Sequence, residues 1–101
     1  MKRAKPIQHS YKLFASAAAY LKKQDAVKVG IFGSYARGEA TAKSDLDILV
    51  KFSPRKSLME MVRIERELSQ LIGVRVDLLT EAAISPHIRP RIKKQLRMIH
   101  G

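Results

Sequence analysis

Asp45 and Asp47 stand one residue apart, and they follow a glycine-serine corner at a short interval: Gly33-Ser34-Tyr35-Ala36-Arg37-Gly38, five residues, then Ser44-Asp45-Leu46-Asp47. On an extended strand, residues i and i+2 leave the same face, about 7 Å apart along the chain. Two carboxylates so close repel each other, and both stay ionised when a cation neutralises them. Hard divalent cations take oxygen ligands of this kind, and Mg²⁺ commonly shares its shell with substrate phosphates and water. Asp77 lies on a later run, also on a polar face. If that run pairs beside the strand of Asp45 and Asp47, three carboxylates complete one site.

The corner suggests what the cation would accompany. Gly33 follows an apolar run directly and lets a bulky group approach the backbone. Backbone N–H groups at the start of a helical turn suit a phosphate, and Ser34 adds a hydroxyl. Arg37, three residues on, falls on the same side of such a turn, where a guanidinium grips phosphate oxygens with two bonds. A phosphate cradle beside a metal site suits in-line displacement at phosphorus. Each part has a plainer reading: Gly-Ser as a turn, Asp-x-Asp as a solvated strand edge, Arg37 as a surface residue, Asp77 with Arg75 as a surface ion pair of little worth. What sets these residues apart is their arrival together, in order, on consecutive elements.

Those elements are legible from periodicity. Ser10 can cap a helix to Lys23, with Phe14, Ala17, Ala18 and Leu21 on one stripe. Asp25 sits in a turn. Val27–Phe32 reads as a strand with Val27, Val29 and Ile31 on one face, then a short helical turn over Tyr35–Glu39 that Gly38 stops. Asp45–Phe52 reads as a second strand with Leu46, Ile48, Val50 and Phe52 inward. A helix over Ser57–Ile72 buries Leu58, Met61, Ile64, Leu68, Leu71 and Ile72, and Gly73 stops it. Val74–Leu79 is a third strand with Val74, Val76 and Leu78 inward. Ser85-Pro86 and Pro90 predict an irregular segment to Arg89, then a last helix from Pro90 to about Met98. The sum is one α/β (α+β) domain over residues 1–101, with a small mixed sheet of about three strands backed by helices.

Composition sets the outer bounds. A chain of 101 residues holds one core, so if it is an enzyme, much of its acceptor specificity is expected to come from a partner or from a few surface loops. There is no cysteine, which excludes disulfides and thiolate metal sites. No run approaches the roughly 18 apolar residues of a membrane span, and the basic start, Met1 to Pro6, does not read as a secretory signal. A cytoplasmic protein is the simplest expectation. The formal net charge of +11 favours an anionic partner or, more plainly, a solvated basic surface. His9, His87 and His100 have no metal spacing and read as surface residues; Tyr11 and Tyr20 read as packing. Tyr35 has a place open to exposure near a ligand and no assigned role.

The signature Gly33, Ser34, Ala36, Arg37, Gly38, Ser44, Asp45 and Asp47 resembles that of the minimal nucleotidyltransferases of the DNA polymerase β-like superfamily. Val76-Asp77-Leu78-Leu79-Thr80 resembles the family's third-acid strand, and Ser85 to Ile92 its closing stretch. The resemblance implies the polymerase β-like fold, with Asp45, Asp47 and Asp77 as catalytic and metal-holding residues and two Mg²⁺ ions between them. Asp77 would take the acceptor's proton. Gly33, Ser34 and Arg37 would handle the triphosphate, with ATP as the substrate, and Ser44 would shape the start of the strand. The resemblance also implies a partner, a HEPN-domain toxin, AMPylated on tyrosine by a small antitoxin of this kind. Two other classes stand beside it: a non-catalytic antitoxin that neutralises by binding, and an RNA-binding or RNA-modifying protein, which the sequence supports with no aromatic-rich sheet. Base preference and homo-oligomerisation are left open by the sequence.

Overall fold

In the computed structural model, which describes residues 10–101, the sheet is ordered β3-β2-β1-β4. The basic start and His9 lie outside the described residues. Helix α1 (Ser10–Lys23) buries Phe14, Ala17 and Leu21, and Lys22 and Lys23 sit at its negative end, where cations are favoured. Strand β1 (Ala26–Phe32) runs into the short helix α2 (Gly33–Ala36). Strand β2 (Leu46–Phe52) is antiparallel to β1.

Helix α3 (Leu58–Ile72) starts on a reciprocal cap. The Glu60 N–H donates to Ser57 Oγ at 3.1 Å, and the Ser57 N–H donates to Glu60 Oε1 at 3.3 Å. It stops at Gly73, held left-handed at φ 71. Strand β3 (Val76–Leu79) is parallel to β2. A 3₁₀ turn (Glu81–Ala83), helix α4 (Arg89–Gln95) and strand β4 (Arg97–His100) complete the chain, with β4 antiparallel to β1.

Alternation along the strands divides the apolar residues between two faces. Val29, Ile31, Leu46, Ile48, Val50, Val76 and Leu78 join Phe14, Ala17, Leu21, Ile64 and Leu68 beneath α1 and α3. On the opposite face a smaller cluster of Phe32, Ile84 and Ile92, with Leu49, Leu79 and Leu96 against it, lies under α4.

Four expectations change. Val27 is exposed, because β1 carries a bulge: Ala26 pairs with Phe52 and Lys28 with Lys51, so Val27 is the extra residue and leaves the alternation. Leu58 and Leu71 are 80% and 60% exposed rather than core, since the inner stripe of α3 is filled by Met61, Ile64, Leu68 and Ile72. Tyr35 is buried, its ring edge-on to Phe14 with centroids 6.2 Å apart. The last helix ends at Gln95, and Arg97–His100 forms a fourth strand in place of a helix reaching Met98. No helix among the described residues is long and apolar enough to cross a membrane.

Candidate active site

The parallel pairing of β2 with β3 sets Leu46 against Val76, Asp47 against Asp77 and Ile48 against Leu78. Leu46, Ile48, Val76 and Leu78 are buried in the main core. The pleat therefore turns Asp47 and Asp77 to the other face, side by side. Asp45 immediately precedes β2, two residues from Asp47, and is exposed; Asp47 is half-buried and Asp77 exposed. Burial pushes the Asp47 carboxyl above the ordinary carboxylate range. The charges of Asp77 and then Asp45 push it the same way, and the Arg37 guanidinium opposes them. Asp47 thus sits in the field of both other acids and of the arginine.

The Asp77 strand is tied down from outside as well. Strand β3 is an edge, so two of its N–H groups point away from β2. Helix α3 supplies their acceptors. The Val76 N–H donates to Ser69 Oγ at 2.9 Å, and the Leu78 N–H donates to Glu65 Oε2 at 2.8 Å. The Ser69 hydroxyl in turn donates to the Glu65 carbonyl at 2.8 Å. Asp77 lies between the two clamped residues. Glu65 and Ser69 were missed in the sequence; the signal was there in their places one residue past the buried Ile64 and Leu68.

At the corner, Gly33 is left-handed at φ 72, and a Cβ built there would fall on Asp47 Oδ2, with Asp47 Cγ 3.1 Å away. Glycine is what allows the carboxylate and the corner to touch. The loop to β2 is closed locally: the Glu39 N–H donates to the Ser34 carbonyl at 2.9 Å. The Thr41 N–H donates to Ser44 Oγ at 2.9 Å and the Ser44 N–H to the Thr41 carbonyl at 3.0 Å, so Ser44 shapes the turn that delivers Asp45. Arg37, just past α2, donates to Gln95 Oε1 on α4 at 3.1 Å and pairs with Glu39 at 3.4 Å. Gln95, like Glu65 and Ser69, is a residue the sequence did not single out.

The fold brings the three aspartates to one end of the β2–β3 pair, next to the Gly33-Ser34 corner. Their side chains do not enclose a ready-made set: among the described residues no three acidic or imidazole groups stand close enough to hold a metal ion as placed. The donor chemistry fits a hard divalent cation all the same, because every candidate ligand is an anionic oxygen and Asp47 is short of countercharge.

Residues 16–99 match the family described as nucleotidyltransferase domain. This chain belongs to that family. It is a nucleotidyltransferase. A Methanocaldococcus jannaschii protein, MJ0435, whose name assigns it provisionally to the protein adenylyltransferases, is 46% identical over 72 residues, 71% of this chain and 77% of its own length. Protein adenylyltransferase MntA of Thermococcus cleftensis is 39% identical over 69 residues, 68% of this chain and 70% of its own. A solved structure, provisionally named a minimal nucleotidyltransferase, superposes with a TM-score of 0.75 at 35% identity, over 92% of this chain and 98% of that one. A complex of tri-AMPylated Shewanella oneidensis HEPN toxin with MNT antitoxin includes a chain of the same fold, with a TM-score of 0.73 at 17% identity over 91% of this nucleotidyltransferase and 72% of that chain.

Proposed function

We propose that this nucleotidyltransferase is the antitoxin of a toxin–antitoxin pair, and that it moves AMP from ATP onto a hydroxyl, a tyrosine, of a HEPN-type toxin. The observation that carries this reading is the side-by-side register of Asp47 and Asp77, with Asp47 two residues from Asp45 and set against the Gly33 corner. The family relatives named as adenylyltransferases support the reaction class, and the AMPylated toxin of the related complex supports the kind of acceptor.

Asp45, Asp47 and Asp77 would hold Mg²⁺, two ions by family resemblance. Bound there, the ions would supply positive charge to offset the crowded carboxylates and the charge that develops in the transfer. Gly33 presents backbone without a side chain to the triphosphate, Ser34 offers its hydroxyl, and Arg37 supplies a cation at the same end. Asp77 accepts the proton of the acceptor hydroxyl. The acceptor oxygen forms a bond to the α-phosphorus, the α–β anhydride bond breaks, and pyrophosphate leaves.

The test uses labelled ATP with Mg²⁺, the neighbouring gene product and, separately, RNA. Label on the protein partner supports the reading, and label on RNA replaces it with an RNA-modifying one. The combined change Asp45→Asn and Asp47→Asn removes charge without volume and is expected to abolish transfer. Toxin inhibition that survives this change in full would show an antitoxin acting by binding alone.

A further inference from the structure

Helix α3 is apolar on two sides. Its inner stripe, Met61, Ile64, Leu68 and Ile72, packs into the main core. On the outside Leu58, Met59 and Val62 are 80%, 84% and 55% exposed. Leu58 and Met59 stand four and three residues before Val62, spacings at which helical side chains are neighbours, and with Arg63 and Arg66 they line an open groove of about 580 Å³. Single exposed apolar residues are ordinary; three large ones massed on one helix face mark a contact surface.

The fold does not need them. The helix is started by Ser57 and Glu60, stopped by Gly73, and anchored by its inner stripe together with Glu65 and Ser69. We propose that this outer face is where the partner protein docks, the occupant being an apolar patch fringed by carboxylates. The inference rests on the reading that the chain acts with a protein partner.

Charge selects that occupant. Nearby carboxylates are already engaged: Glu60 accepts from the Ser57 backbone at 3.3 Å, and Glu67 pairs with Arg63 at 3.0 Å. Arg55 and Arg66 form no salt bridge among the described residues, and the chain carries +11 overall. A second copy of the chain would bring arginines against arginines; an acidic partner would pair them. Methionine suits such a face, because its unbranched side chain adapts to the surface laid on it. The face lies on the side of the sheet opposite Asp47 and Asp77, so a docked partner leaves the acids uncovered.

The test compares the wild-type chain with Met59→Glu/Val62→Glu and with Arg66→Glu, titrating each against the product of the neighbouring gene. The double change places glutamates four residues before Arg63 and Arg66, a spacing that favours the helix, so folding is retained and is checked by thermal melt. Partner affinity is expected to fall at least about tenfold in both variants, as for a truncated hot spot, with ATP binding unchanged. Equal affinity in all three proteins overturns the α3 surface and leaves the functional reading standing. No binding by the wild-type chain overturns that reading and this inference with it. A wild-type dimer that becomes a monomer in the double variant, with partner affinity unchanged, overturns it in favour of self-association.

Discussion

The Asp47 carboxylate fills the space in which a side chain on Gly33 would begin. Gly33→Ala therefore suffers twice. An alanine in the left-handed region costs about 1–2 kcal/mol, and its methyl group must displace Asp47. Gly38 is an internal control: it is left-handed at φ 71, but a Cβ there meets nothing within 4 Å. Both variants should lose the backbone cost in a denaturant titration, Gly33→Ala the more because its methyl group also meets Asp47. Only Gly33→Ala should also lose transfer activity. Equal activity in the two would separate the corner from the chemistry.

The crowding of Asp47 has a definite sign with pH. Its folded-state carboxyl is raised above the ordinary 3.8, first by burial and then by Asp77 and Asp45. Between the unfolded value and the raised folded one, the folded chain binds more protons than the unfolded one. Stability therefore falls as pH rises through that window and is flat for this group above it. Asp47→Asn should remove that fall, melting above wild type at neutral pH and closer to it below the window. Added Mg²⁺ should raise the wild-type midpoint and leave the Asn variant nearly unmoved. Thermal melts across pH, with and without Mg²⁺, read both effects.

Glu65 acts on the site through the strand it clamps. Glu65→Ala leaves the Leu78 N–H without the carboxylate that now accepts it at 2.8 Å, and hydrogen bonds to charged groups are worth about 1.5–3 kcal/mol. The variant should lose about that much stability, and its kcat should fall because β3 carries Asp77. Glu65→Gln keeps an acceptor at the same reach and should recover most of both. A kcat untouched by Glu65→Ala would show that Asp77 is held by β2 alone.

Much of this was legible in the chain. The stripe of Phe14, Ala17 and Leu21 marked α1, and the alternation of Leu46, Ile48, Val50 and Phe52 turned Asp47 away from the core before any pairing was known. Whether Asp77 stood beside them depended on strand order, which no local pattern states; a parallel β2–β3 pair is fixed by the α3 crossover and its core. The other differences have the same origin. Val27 was displaced by a bulge that only the partner strand reveals. Arg97–His100 is a strand because β1 offers it an edge, not because its residues alternate. Leu58 stands three residues before Met61 of the inner stripe, yet as the first residue of α3 it is left outside the core.

Tyr35 tests how far the signature segment is scaffold. Its ring is 2% exposed and packs on Phe14, while its hydroxyl, raised above the ordinary phenol range by burial, finds no hydrogen-bond partner among the described residues. An unsatisfied buried polar group costs about 1–3 kcal/mol, and Tyr35→Phe removes the hydroxyl while keeping the ring and its edge-on contact. The variant should be as stable as wild type or more so, by up to about 1 kcal/mol after any loss of packing, with transfer unchanged. Tyr35→Ala should cost about 3–5 kcal/mol, as for other buried aromatics cut to alanine. Urea titrations of the two variants decide the point: a destabilised Tyr35→Phe would mean that the hydroxyl has a partner worth keeping, and that the segment beside Gly33-Ser34 is held by more than apolar packing.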